Sequence, residues 1–405
     1  MSHRPIRALA LGSVFVAALW VVACRSLDPL TPVEQLGKRL FFDTALSTPP
    51  GQSCATCHDP KVGFTGPDSR LNAEGSVYPG AVPERFSNRK PPTSAYGSQS
   101  PVLHYDKAEG VWVGGMFWDG RATGLKLSDP LAEQAQGPFL NPLEQNLPDA
   151  KTVGIKVQEA PYAPLFLKVW GPASLDVVKD VDATYARIAR SIAAYERSVE
   201  SDQFSSKYDA YLKGKARLTD EERLGLEVFQ NKNKGKCALC HVLEPPLFTD
   251  FTYDNLGVPR NPANPFYKAP RSTNPLGDAW VDKGLGGYLK SAGYEAAVYE
   301  PEIGKVKVPT LRNVDLRPYP GFVKAFGHNG YFKSLESIVH FYNTRDVKPK
   351  CEATPKPEPG VNCWPAPEVA ANVNVDELGN LGLTPQEEKA LVAFMKALSD
   401  GWWKK

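Results

Sequence analysis

Two stretches of this chain carry one arrangement of apolar and polar positions. "TPVEQLGKRLFFD" (31–43) and "TDEERLGLEVFQ" (219–230) both read T-x-x-E and then L-G-x-x-[LV]-F. The apolar residues recur at helical spacing. Thr31 or Thr219 can cap the helix, and Glu34 or Glu222 can close a capping box. The pattern therefore predicts two capped amphipathic helices. Each is followed by the same short cysteine motif, so the chain reads as an internal duplication with a period of about 185 residues. A third box stands near the end: Thr384 caps, Pro385 takes the first helical position and Glu387 reaches back. Leu391, Phe394, Met395 and Leu398 form one face there, and Gly401 is expected to stop the helix. Between the halves, "VDATYARIARSIAAYERSVES" carries Ile188, Ile192, Tyr195 and Val199 at helical spacing. No segment shows sustained strand alternation, so the expected class is mainly α.

Composition narrows the picture only a little. The 405 residues, 42% of them hydrophobic, suffice for about two to three domains. Lys and Arg total 47 against 45 Asp and Glu, and a net charge of +2 gives no basic excess that would select nucleic acid. With 37 Pro and 33 Gly, long irregular connections between helices are expected. Residues 1–23 read as an export signal: Arg4 and Arg7 precede the apolar run "ALALGSVFVAALWVV", and small Ala23 precedes Cys24. A membrane-spanning helix is the competing reading, but the run is shorter than the ~20 residues a bilayer requires. "VVAC" is similar to the bacterial lipobox, which makes Cys24 the lipidated first residue of a mature, membrane-anchored periplasmic protein.

The seven cysteines divide cleanly. Cys54 and Cys57 lie in "CATCH", Cys237 and Cys240 in "CALCH", and Cys24 ends the signal. Cys351 and Cys363 remain, and in an oxidising compartment they can pair across the intervening loop where geometry permits. C-x-x-C-H is the attachment signature of c-type haem. Both thiols bond the haem vinyl carbons, and the adjacent His58 or His241 is held where its imidazole reaches the iron. A thioredoxin-like pair or half a zinc site is the alternative, and export together with a second copy disfavours both. The domain division expected is 28–205 and 206–405, two cytochrome c-like units each holding one haem.

An open sixth position on haem iron admits peroxide or oxygen, and a filled one favours electron transfer. Beyond the attachment histidines and His3, only His104, His328 and His340 can fill it, with Met116 and Met395 the mature methionines. Through "QLGKRLFFDTALS", "CATCHDP", "FWDGRA", "EQAQGPFLNPLE", "KCALCH", "VPTLRNV" and "GHNGYFKSLESIVHFYN", nearly the whole mature chain resembles the bacterial di-haem cytochrome c peroxidase and MauG superfamily. That resemblance implies an enzyme acting on hydrogen peroxide. It implies that Glu144 stands over the first haem as acid–base group, with Gln134 and Pro138 completing its pocket, and that Trp118 lies between the haems. It also implies an inter-haem calcium site using Asn88 and backbone carbonyls near Arg317 and Tyr319, and a supporting role for His328 at the second haem.

Two departures from the family pattern matter. Peroxidases of this superfamily that are gated by reduction carry a histidine between the first motif and the asparagine, and none occurs here from Asp59 to Ser87. The nearest, His104, falls in an extra stretch before Trp118 and is a substitute ligand to be considered. Those enzymes also ligate the second haem by a methionine whose counterpart, counted from His328, is Tyr342. MauG-like members have tyrosine there. A phenolate donates charge and stabilises oxidised iron, whereas Met/His ligation raises the potential. The resemblance implies as electron donor a small c-type cytochrome or copper protein, or a tryptophan of a partner protein as in MauG-like members. A plain electron-carrying di-haem cytochrome is the alternative of another class.

Overall fold

The computed structural model describes residues 30–404, and the expected signal and Cys24 lie outside them. All three capping boxes form. Thr31, Thr219 and Thr384 each donate their backbone N–H to the glutamate three residues on, at 2.6, 2.7 and 2.8 Å. The helices they open run Pro32–Phe42, Asp220–Gln230 and Pro385–Lys396. A fourth long helix spans Val181–Glu196, capped by the Asp180 side chain. The molecule is helix-rich, and its strands are two- or three-residue pieces in two small antiparallel pairs, one joining His104–Asp106 to Val111–Val113.

The shared "LG" has a packing cause. The Pro32–Phe42 helix crosses Val181–Glu196 so closely that a Cβ on Gly37 would lie 1.8 Å from the Ser191 carbonyl oxygen. In the second half, a Cβ on Gly225 would lie 2.0 Å from the Ala390 carbonyl oxygen of the Pro385–Lys396 helix. The aromatic four residues past each of those carbonyls then meets the phenylalanine of the motif. Phe41 and Tyr195 stack edge-on at 5.3 Å, as do Phe229 and Phe394 at 5.3 Å. The duplication is therefore one of helix pairs. In an open helix interior, glycine to alanine gains about 1 kcal/mol. At these crossings the sign should reverse, so Gly225→Ala is expected to lower stability by about 1–3 kcal/mol through overpacking. Denaturant melting of the holoprotein measures it.

Two element ends differ from the sequence reading. The Val181–Glu196 helix stops before Val199, which is 45% exposed, because the chain tightens at Ser198, whose N–H bonds the Tyr195 carbonyl. The last helix ends at Lys396 rather than near Gly401, and Leu398 packs, fully buried, in the turn that follows. One core gathers Leu36, Phe41, Phe64, Ile188 and Tyr195 around the first helix pair, and another gathers Phe229, Phe248, Phe341, Leu391 and Phe394 around the second. The halves are not independent. Leu247 inserts into the first core, Tyr96 Oη donates to Asp400 at 2.6 Å, and partly buried Arg89 bridges Asp119 and Asp282, each at 2.6 Å. Cys351 and Cys363 form a disulfide with Cα atoms 4.9 Å apart.

Candidate active site

Each attachment motif sits on one tight turn. His58 N–H bonds the Cys54 carbonyl and His241 N–H bonds the Cys237 carbonyl, both at 2.9 Å, so each pair of thiols and its imidazole come from a single turn. The imidazoles are oriented alike. His58 Nδ1 lies 3.1 Å from the Phe64 carbonyl and His241 Nδ1 lies 2.9 Å from the Phe248 carbonyl. A carbonyl can only accept, so Nδ1 carries the proton and Nε2 keeps a free lone pair, the tautomer a metal ligand needs. Burial holds His58 down at about 4 and moves His241 the same way, which keeps both rings neutral.

Two cavities open over these turns. The first, about 1090 Å³ with its mouth, is lined by Cys54, Cys57 and His58 and by Asn88, Gln134, Pro138 and Glu144. The second, about 1560 Å³, is lined by Cys237, Cys240 and His241, with His328, Tyr342 and Met395. Burial pushes the Cys57 and Cys237 thiols up to about 12, the wrong direction for a thiolate redox pair. Paired thiols with a neutral, oriented imidazole at the edge of a large cavity fit a covalently held haem in both places.

The wall between the cavities contains Trp118, Lys90, Pro92 and Thr93, which face both. Trp118 is 7% exposed and its indole N–H donates to the Lys90 carbonyl at 2.8 Å. His328 stands edge-on to it at 6.4 Å between ring centroids, with Nε2 3.8 Å from Glu368 and 3.9 Å from Asp282. In the first cavity, burial raises the Glu144 carboxyl above its ordinary value against the pull of Arg121, Asn141 and Ser87. Among the described residues, His58 is the only histidine lining that cavity.

The other candidate residues separate. His104 is exposed on its short strand, with Nδ1 2.8 Å from the Val102 carbonyl, and lines neither cavity. On the Leu335–Thr344 helix, Tyr342 faces the second cavity, whereas His340 turns away, its Nδ1 3.0 Å from Glu388. Burial pushes the Tyr342 phenol well above its ordinary value.

Sequence reading missed Glu196. It lines the first cavity, is 3% exposed, and burial pushes its carboxyl up to about 8. The signal was present, because Ile188, Ile192 and Glu196 recur every fourth residue and so place a carboxyl on an apolar stripe.

Known proteins bear on this arrangement. A family model described as di-haem cytochrome c peroxidase matches residues 32–217. The chain is 36% identical to the methylamine utilization protein MauG of Paracoccus denitrificans (strain Pd 1222), across 97% of this chain and 96% of that protein. It is 28% identical to the cytochrome-c peroxidase IdrP2 of Denitromonas iodatirespirans, across 90% and 81%. The crystal structure of the diheme peroxidase BthA from Burkholderia thailandensis E264 matches with a TM-score of 0.73 at 32% identity, across 93% of this chain and 88% of that one. With two motif-bearing cavities that share a tryptophan wall, and this similarity along nearly its full length, the chain belongs to the di-haem cytochrome c peroxidase and MauG family.

Proposed function

We propose that this enzyme reduces hydrogen peroxide in the first cavity, at a haem held by Cys54, Cys57 and His58. Cys237, Cys240 and His241, faced by Tyr342, would hold a second haem in the second cavity, and Trp118, in the wall of both cavities, would be the side chain through which the two share oxidising equivalents. Bound haem supplies the redox chemistry; the chain supplies binding, orientation and proton transfer. Glu144 takes the peroxide proton on Oε and returns it to the leaving oxygen, while Gln134 and Pro138 shape the space above it. The division of domains at 205/206 belongs to this proposal, as do export and anchoring through Cys24. Among the described residues no helix is long and apolar enough to cross a membrane.

One observation carries the reading. Trp118 lies in the wall of both cavities, and the first is lined by an acid–base candidate and, among the described residues, by no second histidine. Absence of a gating histidine and presence of Tyr342 favour the MauG-like mode, in which reaction begins from the fully oxidised protein. The donor is then a small c-type cytochrome or copper protein, or a tryptophan on a partner protein. Adding peroxide to the fully ferric holoprotein should bleach and shift both haem spectra without a reductant. Turnover that requires prior reduction overturns the MauG-like mode, and two low-spin haems inert to peroxide restore the plain electron carrier.

A further inference from the structure

A phenol that gives up one electron becomes a strong acid, so a buried tyrosine passes electrons readily only where a base within hydrogen-bond reach takes its proton. Among the described residues, the buried tyrosines Tyr96, Tyr162 and Tyr267 each donate Oη to a carboxylate: Asp400 at 2.6 Å, Asp43 at 2.5 Å and Glu368 at 3.0 Å. Asp400 makes a poor base. Asn313 Nδ2 and both the N–H and the hydroxyl of Ser205 also donate to it, and each such bond favours its charged form. Of the three carboxylates, Glu368 is the one that approaches the ring facing Trp118, because its Oε2 lies 3.8 Å from His328 Nε2.

A bridge of side chains therefore runs from the wall between the cavities to Tyr267. Trp118 meets His328 edge-on at 6.4 Å between ring centroids, His328 meets Glu368, and Glu368 Oε1 accepts from Tyr267. On the far side of Tyr267 lies Trp280, 5.9 Å away between ring centroids and partly exposed. Other donors hold Glu368 more loosely than Asp400 is held: Asn329 Nδ2 at 3.2 Å and the Asp282 N–H at 3.4 Å. Arg260 Cζ stands 3.7 Å from the centroid of the Tyr267 ring. That cation is attracted by a neutral ring and repelled by a positive one, so electron loss without proton loss is disfavoured. Burial, with Glu368 beside it, pushes the Tyr267 hydroxyl well above its ordinary value, and the side chain rests as the phenol.

We propose that Tyr267 and Glu368 form a redox-active pair that carries oxidising equivalents from Trp118 toward Trp280, where a one-electron donor outside the protein is met. The inference rests on the peroxidase reading, which supplies the oxidant. Peroxide takes up two electrons, and each one drawn from Trp118 is replaced from Tyr267. The Tyr267 O–H bond then breaks: the electron goes to Trp118 and the proton to Glu368 Oε1, which leaves a neutral tyrosyl radical beside a carboxylic acid. An electron from the donor, passing by way of Trp280, and the same proton moving back restore the phenol and the carboxylate. The pair thus passes an electron without exchanging a proton with water, as its burial requires.

Electron paramagnetic resonance of the ferric holoprotein, mixed with peroxide and frozen without a donor, reads the pair directly. The parent should give a tyrosyl signal that narrows when the protein is made with ring-deuterated tyrosine. Tyr267→Phe should lose that signal, and so should Glu368→Gln, which keeps the phenol and removes the base. Tyr96→Phe and Tyr162→Phe should keep it. Haem spectra that bleach with no tyrosyl signal overturn this inference and leave the peroxidase reading standing, whereas spectra that do not respond to peroxide overturn both. A signal that survives in Tyr267→Phe, or that is undiminished in Glu368→Gln, also overturns it. Trp280→Phe, a change at a partly exposed ring, should prolong the signal once ascorbate is added as donor. If the Tyr267 and Glu368 variants do not accumulate, the parent signal and its lifetime in Trp280→Phe decide: no signal, or an unchanged lifetime, overturns the proposal.

Discussion

Glu144→Gln should slow the reaction of the ferric holoprotein with peroxide by about 10²–10⁴-fold, the usual contribution of a positioned acid–base group. Glutamine keeps the size and the hydrogen bonds of the side chain but cannot accept the peroxide proton. The pH profile makes the assignment specific. Burial raises the Glu144 carboxyl above the ordinary glutamate range. The ionised form is the one that accepts a proton, so the rate should fall as pH drops through that raised value, and the limb should disappear in Glu144→Gln. Stopped-flow mixing with peroxide across pH reads both effects. Glu196 shares the cavity and its carboxyl is pushed up to about 8. A limb that survives in Glu144→Gln and vanishes in Glu196→Gln would move the acid–base role to Glu196.

Legibility of the chain in its sequence follows the range of the interactions involved. Helix starts were readable because a capping box is closed within four residues, and Thr31, Thr219 and Thr384 each make one. Attachment motifs were readable because both thiols and the imidazole come from one turn. Helix ends at Glu196 and Lys396 were not, since Val199 and Leu398 continue the apolar spacing past the point where the backbone turns. The shared glycine of the duplicated helices was visible as a letter, but its cause is a carbonyl more than 150 residues away in each half: Ser191 for Gly37 and Ala390 for Gly225. The hairpin at 104–113 has strands of three residues, too short for alternation to register. Lys324, buried in the wall of the second cavity, carried no local signal at all. Its surroundings are apolar and glycine-rich in sequence, and of the three carbonyls that hold it one comes from Val62, 262 residues away, and two from Asn313 and Leu316 in the irregular turn 11 and 8 residues before it.

Tyr342→Phe should change the spectrum of the low-spin haem and raise its reduction potential, by on the order of 0.1 V within the roughly 0.8 V span that axial ligands command. The geometry argues for Tyr342 over its neighbour, because His340 Nδ1 is engaged by Glu388 and the ring lies outside the cavity that Tyr342 faces. The phenol's own chemistry adds a second readout. Burial pushes Tyr342 well above its ordinary value, so only a strong local positive charge can keep it ionised, and a bound metal ion inverts the local preference in this way. When that charge falls by one on reduction, Tyr342 Oη should take up a proton. Proton uptake on reduction makes the potential fall as pH rises, by about 59 mV per unit for a one-electron couple. Spectroelectrochemical titration of the parent should show that slope, and Tyr342→Phe should abolish it. Met395 lines the same cavity. If Tyr342→Phe leaves spectrum and slope intact while Met395→Leu shifts the potential, the ligand is the thioether, and the enzyme rejoins the methionine-ligated peroxidases.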